Sequence, residues 1–185
     1  SGDASHWALR SGFSRLNYVL ADKYLLEANV RYDGSSRFSK TNRFGAFPSI
    51  SAGWRISEEP FMQGIKSVVH DLKFRASWGR LGNQYVNSSL YPYISSIEPV
   101  TTMPIGNVLT PAFAATQLAN TNLTWEKVTM TNLGLDLQLF KGKLAATVDV
   151  FDKKTSDILL IVRLPDVLGI DEPEQNAGAV RNRGW

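Results

Sequence analysis

The chain has 185 residues, of which 43% are hydrophobic, with 20 Lys and Arg against 17 Asp and Glu. This length suits one ordinary domain, and so small a positive balance argues against a nucleic-acid partner. The absence of cysteine excludes disulfides and thiolate metal sites. Residues 1–10 lack the basic and apolar regions of a signal peptide, so the chain is cytoplasmic, mature or cut from something longer.

Six segments predict β-strands, because apolar and polar residues alternate along them. They cover roughly residues 9–20, 24–33, 49–56, 72–79, 131–139 and 144–150. The second has the clearest apolar and polar faces, formed by Leu26, Ala28, Val30 and Tyr32 and by Glu27, Asn29, Arg31 and Asp33. The first is the weakest, because Phe13 falls among its polar positions. Such two-faced strands separate core from water in a soluble sandwich, or lipid from a wet lumen in an outer-membrane barrel.

The connections between these strands alternate in length. Residues 21–23 and 141–143 form tight turns and 58–71 is intermediate, whereas the long connections are 34–46, 82–122 and everything after 155. An antiparallel up-and-down meander across a membrane keeps short turns on the periplasmic side and long loops outside, whereas soluble sandwiches mix them. The alternation therefore favours an all-β transmembrane barrel, and the sandwich stays open as the alternative.

Two connections carry patterns of their own. Residues 99–125 contain no charged residue, but their prolines and many Thr and Asn residues exclude a transmembrane helix and predict a loop. Within 58–71, Phe61, Ile65 and Val68 are spaced like one face of a short helix. Leu72 continues the same face. We expect this turn to pack its apolar side against the rim of the barrel; the alternative is an amphipathic anchor.

Each face of the predicted sheet carries an expectation. On the apolar face, Tyr24 and Tyr32 are separated by about 20 Å along the membrane normal, close to the height of a band between aromatic girdles. Trp54, Trp78 and Trp125 likewise fall near strand ends. The polar face would line the lumen with side chains that pair across strands, namely Glu27, Asn29, Arg31, Arg55, Lys73, Arg75, Asp136 and Asp149.

Catalytic chemistry finds little support in the sequence. Neither of the 2 histidines has a Ser or Asp at a triad spacing, and no glycine-rich phosphate loop joins a strand to a helix. The sequence therefore predicts no enzyme, no cofactor and no metal. The loop 82–122 holds Tyr85, Tyr91 and Tyr93, whose rings would stack on sugars or peptide side chains, or pack on one another to order the loop.

Six ordered sequence blocks stand at strand ends and loop entrances. They are RYDGSSRF at 31–38, FPSISAGWRISEEPF at 47–61, LKFRASWGRLGNQ at 72–84, NLTWEK at 122–127, FDKKTSDIL at 151–159 and NAGAVRNRG at 176–184. Each block is weak alone, but their order and spacing resemble the SusC/RagA family of TonB-dependent outer-membrane transporters. The last block resembles the family's entry into another strand, although the family usually continues with an aliphatic residue and Glu, where this chain has Trp185.

The resemblance implies that the chain is part of a larger barrel. Family members have about 22 strands around an N-terminal plug, with a TonB-contacting segment and a SusD-like surface lipoprotein as a lid. Residues 1–185 would then be a partial barrel domain without the plug and the remaining strands, since about six strands cannot close a barrel alone. The family brings oligosaccharides or peptides across the outer membrane of Gram-negative bacteria.

The resemblance also assigns roles to the loops. Residues 82–122 and 160–179 would be extracellular and face the lid or the cargo. Candidate contact residues are Arg37, Tyr85, Tyr91 and Tyr93.

The alternative from another class is a soluble β-sandwich binding or adhesion module. Its core would contain Leu133, Leu135, Leu137 and Leu139 instead of presenting them to lipid. Leu135→Arg would harm either protein, whereas Gly134→Lys and Gln138→Lys are expected to be mild in both.

Overall fold

The computed structural model describes residues 6–85, 90–105, 108–117, 119–161, 163 and 173–185. Its strands are β1 (Leu9–Leu20), β2 (Tyr24–Ser35), β3 (Phe44–Arg55), β4 (Val69–Asn83), β5 (Ser96–Ile105), β6 (Val108–Gln117), β7 (Glu126–Leu139), β8 (Leu144–Ile161) and β9 (Glu174–Gly184). Seven form one antiparallel sheet in the order β1-β2-β3-β4-β7-β8-β9, and β5 pairs with β6 in a separate hairpin. Within the described residues β1 and β9 do not pair, so the sheet is open, and the predicted all-β meander is confirmed.

The connections between consecutive strands alternate between the two ends of the strands. One end, which we call the short-loop rim, holds the connections at 21–23, 56–68 and 140–143. The other end, the long-loop rim, holds those at 36–43, 84–125 and 162–173. Ala21 and Asp22 have positive φ angles of 51° and 56°, a pattern typical of the primed turns that match the twist of a hairpin. The predicted segregation of short and long connections is confirmed.

The sheet has one strand more than the six expected, and a hairpin lies outside it. Ser96–Ile105 pairs with Val108–Gln117, so the interpretation of 99–125 as a loop is wrong for most of those residues. Each strand of a two-stranded ribbon has a free edge that needs no N–H donor, which makes prolines tolerable there. The prolines of this hairpin are Pro99, Pro104 and Pro111.

The seventh strand of the sheet, β9, occupies part of the predicted loop 160–179. β8 continues to Ile161 and β9 begins at Glu174, while 162 and 164–172 lie outside the described residues. Alternation did not identify β9 as a strand, because Arg181 and Arg183 stand where the other strands carry aliphatic residues. The resemblance of residues 176–184 to the family's entry into another strand did predict it, and that prediction is confirmed.

The sheet is a single layer with two unlike faces. Paired residues of adjacent strands share a face. The register accordingly sets one apolar row side by side, formed by Ala52, Ala76, Leu133 and Val150. No second sheet covers this face in the described part of the chain, and Leu133 and Leu135 are 47% and 41% exposed. The soluble sandwich, which needs these leucines in a core, is not favoured.

The 56–68 connection folds into short 3₁₀ turns, the longer of which is Pro60–Ile65. The expectation that its apolar side packs against the rim is wrong, because Phe61 and Ile65 are exposed and Met62 is buried instead. A 3₁₀ turn repeats about every three residues, so positions spaced for an α-helix no longer share one face.

Candidate functional site

The polar face carries an ion-pair network across three strands. Arg75 on β4 donates from Nε to Asp136 Oδ2 at 2.7 Å and from Nη2 to Asp149 Oδ1 at 3.2 Å. Asp136 lies on β7 and Asp149 on β8. Asn132 and Thr147 add donors at 3.2 Å, to Asp149 Oδ1 and Asp136 Oδ1 respectively. The expected pairing of charged side chains across strands is confirmed for these residues.

Gly134 allows this network to cross β7. It pairs with Arg75 on one side and with Asp149 on the other. A Cβ atom at Gly134 would lie 2.6 Å from Asp149 Oδ1 and 2.7 Å from Arg75 Nη2, which is closer than Cβ atoms approach such groups. The guanidinium occupies the space that a side chain would fill, so any other residue at 134 requires the ends of the Arg75 and Asp149 side chains to shift. The mild effect of Gly134→Lys stays a prediction.

Beside the network, the polar face forms an open groove of about 450 Å³. Its polar lining includes Asn17, Glu27, Ser51, Lys73 and Arg75. The Arg75 side chain is 35% exposed despite its ion pairs, so it remains reachable from the groove. Charged and amide groups in a groove are chemically suited to a polar solute or a polar protein surface.

The long-loop rim contains the main apolar cluster of the described residues. This rim cluster consists of Phe38, Phe47, Leu123, Trp125 and Leu159. The Trp125 ring centroid lies 5.2 Å from that of Phe38 and 5.3 Å from that of Phe47. Its Nε1 donates a hydrogen bond to the Arg43 carbonyl at 3.1 Å. Apolar packing thus joins the 36–43 connection to the residues before β7 and to β8.

Hydrogen bonds hold the same connections together. The Asn176 side chain accepts from the Thr124 N–H at 2.9 Å and donates to the carbonyls of Thr124 and Asp157 at 2.9 and 2.8 Å. Ser39 Oγ donates to the Thr121 carbonyl at 2.8 Å. Residues from all three long connections or their flanking strands therefore meet in one structured rim.

Two of the four candidate contact residues contact a segment before β1, and a third packs beside one of them. The Arg37 guanidinium lies over the Trp7 ring, 5.0 Å from its centroid. Tyr91 Oη donates to the His6 carbonyl at 2.6 Å, and the Tyr91 and Tyr93 rings meet edge to face at 6.2 Å. Arg37 and Tyr91 thus contact one short stretch of chain at the long-loop rim, and Tyr93 packs on Tyr91.

Tyr85 is separate from that group in its described contacts. Its backbone N–H donates to Asn83 Oδ1 at 3.0 Å, and its side chain is 64% exposed. The sequence pattern missed Trp7, because this residue precedes the first strand and belongs to no alternating run. The contact of Trp7 with Arg37 is what places Trp7 in the candidate site.

At the short-loop rim, Glu59 joins the 56–68 connection to the ends of two strands. Its Oε1 accepts from Tyr24 Oη at 2.7 Å and from Trp54 Nε1 at 3.1 Å, and its Oε2 accepts from Lys23 Nζ at 3.2 Å. The hydrogen bonds from Tyr24, Trp54 and Lys23 hold the pKa of the Glu59 carboxyl below its ordinary value, although burial opposes the shift. Apart from the position of the two aromatic residues at strand ends, no sequence pattern predicts this junction.

The described residues contain no group of His, Asp and Glu placed to hold a metal ion. Across the same residues, no helix is long and apolar enough to span a membrane. An open antiparallel meander with an exposed apolar face, an ion-paired polar face and segregated connections defines the class of protein as part of a β-barrel wall.

Comparison with known proteins agrees with this class. The whole chain, residues 1–185, matches the family described as TonB dependent receptor-like, beta-barrel. It is 38% identical over 188 residues to a TonB-dependent receptor of Formosa agariphila, covering 100% of this chain and 18% of that protein. It is also 38% identical over 185 residues to the TonB-dependent receptor SusC of Bacteroides thetaiotaomicron, covering 98% of this chain and 18% of SusC. The chain belongs to the TonB-dependent receptor β-barrel family.

A solved structure gives the same result for the fold. The structure of the RagAB peptide transporter superposes with a TM-score of 0.83 and 29% identity, over 96% of this chain and 19% of that one. The chain thus spans less than a fifth of the length of these relatives. The predicted resemblance to SusC and RagA is confirmed.

Proposed function

We propose that the chain forms seven neighbouring wall strands of an outer-membrane nutrient importer in a Gram-negative bacterium. The observation that carries the proposal is the contrast between the two faces of one sheet layer. Leu133, Leu135, Val148 and Val150 are exposed on the apolar face, whereas Arg75 and its partners are paired on the opposite face. So large an exposed apolar face suits lipid, and the charged face suits a wet lumen.

Residues 1–185 are, in this proposal, one part of a larger barrel domain. Seven strands are fewer than the roughly eight of the smallest bacterial barrels, so further strands complete the wall. A plug and a segment that contacts TonB belong to other parts of the full-length receptor. The long-loop rim faces the outside of the cell and meets a SusD-like lipoprotein that acts as a lid.

The proposed cargo is an oligosaccharide or a peptide. The peptide class is supported by the structural similarity to RagAB, a peptide transporter, and the oligosaccharide class is what the resemblance to the SusC/RagA family implies. Arg37, Tyr85, Tyr91 and Tyr93 are proposed to contact the cargo or the lid at the long-loop rim. Aromatic rings and a guanidinium are suited to stack on sugar rings or on peptide side chains. The receptor moves its cargo without an enzymatic step.

Two neighbouring residues on opposite faces of β4 offer a test of the membrane orientation. Ala76 lies on the apolar face and Ser77 on the polar face, and each differs from cysteine by little volume. Spin labels would be attached to Ala76→Cys and Ser77→Cys in the full-length receptor in lipid vesicles. We expect the label at 76 to collide with oxygen dissolved in lipid, and the label at 77 with a polar nickel chelate. A label at 76 that meets only the polar chelate would contradict the proposal and favour a soluble module.

Cargo uptake is tested separately in cells. A strain that lacks the receptor would be complemented with the full-length gene and offered labelled oligosaccharides or labelled peptides as sole nutrient. We expect uptake of one of the two classes, dependent on TonB. Uptake that continues unchanged without the receptor or without TonB would contradict the importer assignment.

A further inference from the structure

A group of charged side chains stands on the apolar face where β8 pairs with β9. Asp152 pairs with Arg183, and Lys154 pairs with Arg181. Alternation along β8 places Asp152 and Lys154 on the same face as Val148 and Val150. The intervening Lys153 lies on the polar face and pairs with Asn182. We call Asp152, Lys154, Arg181 and Arg183 the outer cationic patch.

The patch lies at a definite height on the sheet. Leu144 begins β8 at the short-loop rim, and the steps from there to Lys154 cover about 33 Å along the strand. At a strand tilt of about 40°, this distance becomes about 25 Å along the membrane normal, the full height of the apolar band of an outer-membrane barrel. The patch therefore coincides with the upper boundary of the band, on the side that faces lipid.

Positive charge in the patch exceeds what its carboxylate can neutralise. Asp152 accepts from Arg181 Nε at 2.9 Å and from Arg183 Nε at 3.0 Å, and it also contacts Arg181 Nη2. The Arg181 and Arg183 side chains remain 55% and 63% exposed. Lys154 is exposed as well and has no ion pair with any described residue. Three cations surround a single carboxylate at this position.

We propose that the outer cationic patch binds the phosphate groups of a phosphorylated glycolipid in the outer leaflet. Arginine forks bind phosphate oxygens in pairs, and a lysine ammonium adds a point charge. Asp152 holds the two guanidinium groups in position, and the exposed part of each guanidinium stays available to phosphate oxygens. The acyl chains of the same lipid would lie on the apolar row below, at Leu133 and Val150. This inference rests on the proposed outer-membrane location.

The test compares two adjacent lysines in the full-length receptor. Lys154→Gln removes a cation from the patch, and Lys153→Gln removes one from the opposite face of the same strand. Binding of diphosphoryl lipid A and of its dephosphorylated form, each in detergent micelles, would be measured by native mass spectrometry. We expect Lys154→Gln to weaken binding of the phosphorylated form about fivefold, because a cation near a charged lipid surface contributes about that factor. Lys153→Gln and the dephosphorylated lipid should show no such change.

A second variant removes the whole patch without leaving a charge unpaired. With Asp152→Asn, Lys154→Gln, Arg181→Gln and Arg183→Gln combined, the receptor should bind both lipids equally. The inference is overturned if the native receptor does not prefer the phosphorylated lipid, or if Lys153→Gln and Lys154→Gln weaken its binding equally. The spin labels at 76 and 77 separate the two proposals. A label at 76 in lipid combined with no phosphate preference rejects the patch alone, whereas a label at 76 in water rejects the membrane location itself.

Discussion

Tyr24 donates a 2.7 Å hydrogen bond to Glu59, which ties a strand end on the apolar face to the 56–68 connection. Trp54 donates to the same carboxylate oxygen at 3.1 Å, and its ring stacks on Tyr24 with the centroids 6.5 Å apart. Two aromatic residues at the edge of the apolar band thus share one buried acceptor. The carboxylate fixes the orientation of both rings relative to the short-loop rim.

Glu59→Ala is expected to lower the thermal unfolding midpoint of the full-length receptor in detergent. The substitution leaves Tyr24 Oη and Trp54 Nε1 without their acceptor, and such donors are unfavourable when they stay unpaired. Glu58→Ala is the matched control, because within the described residues Glu58 forms an ion pair with Lys66 alone, and both side chains are 44% exposed. An exposed pair of this kind contributes little to stability. Equal midpoints for the two variants would contradict the role assigned to Glu59.

The Glu59 junction should also depend on pH. The folded protein holds the Glu59 pKa below its ordinary value of 4.5, through hydrogen bonds from Tyr24, Trp54 and Lys23. The ionised carboxylate therefore stabilises the fold fully above pH 4.5, and this contribution is lost as pH falls through the folded-state pKa. The difference in unfolding midpoint between native and Glu59→Gln receptor should shrink on acidification. A difference that grows at low pH would be inconsistent with this assignment.

Gly134→Ala is expected to lower the free energy of unfolding by about 1 kcal/mol, after allowance for the partial exposure of the Arg75 ion pairs. The new methyl group would displace the Arg75 guanidinium from Asp149. Gly12→Ala is the control, because no atom lies within 4 Å of a Cβ atom built there. Denaturant titrations in lipid vesicles give both values. The effect at 134 should shrink when Arg75 is already replaced by Met, because only the contact with Asp149 Oδ1 then remains. An undiminished effect would mean that the Arg75 ion pair is not responsible.

Gly82→Ala should loosen the long-loop rim. A Cβ atom at Gly82 would lie 2.0 Å from the Phe47 ring, so the ring must leave its place beside Trp125. Forcing an extra carbon into a packed cluster costs about 1–3 kcal/mol. Limited proteolysis should then cut the 36–43 connection faster. Gly64→Ala, where nothing lies within 4 Å, should leave the rate unchanged; if it accelerates cleavage equally, the effect does not arise from the rim cluster.

Leu135→Arg should impair insertion into lipid vesicles far more than Gln138→Lys does. An arginine on the lipid face near the bilayer midplane costs about 2–4 kcal/mol, whereas a lysine on the lumen side meets water. The yield of heat-modifiable, protease-resistant receptor in vesicles measures the difference. Similar yields for the two variants would argue against lipid contact at Leu135.

The alternation of residue types was sufficient to predict the two faces and the strands β1 to β4, β7 and β8. It did not predict β5 and β6, because the prolines that exclude a helix in these segments are also typical of loops. The pairing of the two segments as an isolated ribbon is what makes them strands. It passed over β9, because Arg181 and Arg183 interrupt the apolar positions. Alternation assigns a side chain to a face but does not identify its neighbours.

The contacts of the candidate site depend on those neighbours. Arg75 and Asp149 lie 74 positions apart in the chain, and Trp125 and Arg43 lie 82 apart. Such pairs meet only after the register of several strands is set. The sequence could therefore nominate Arg75, Asp136 and Asp149 as residues of one face, but it gave no reason for Gly134 to lie between them.

The hairpin of β5 and β6 is inserted between two strands that pair as if it were absent. β4 and β7 keep their register from Val69 opposite Leu139 to Asn83 opposite Glu126, with one irregularity near Val69. Closing a longer connection costs little additional conformational entropy, because this cost grows only with the logarithm of the connection's length. The length and sequence of this connection can therefore change while β4 and β7 keep the same register. Related barrels can in this way carry different loop surfaces while their wall strands keep the same pairing.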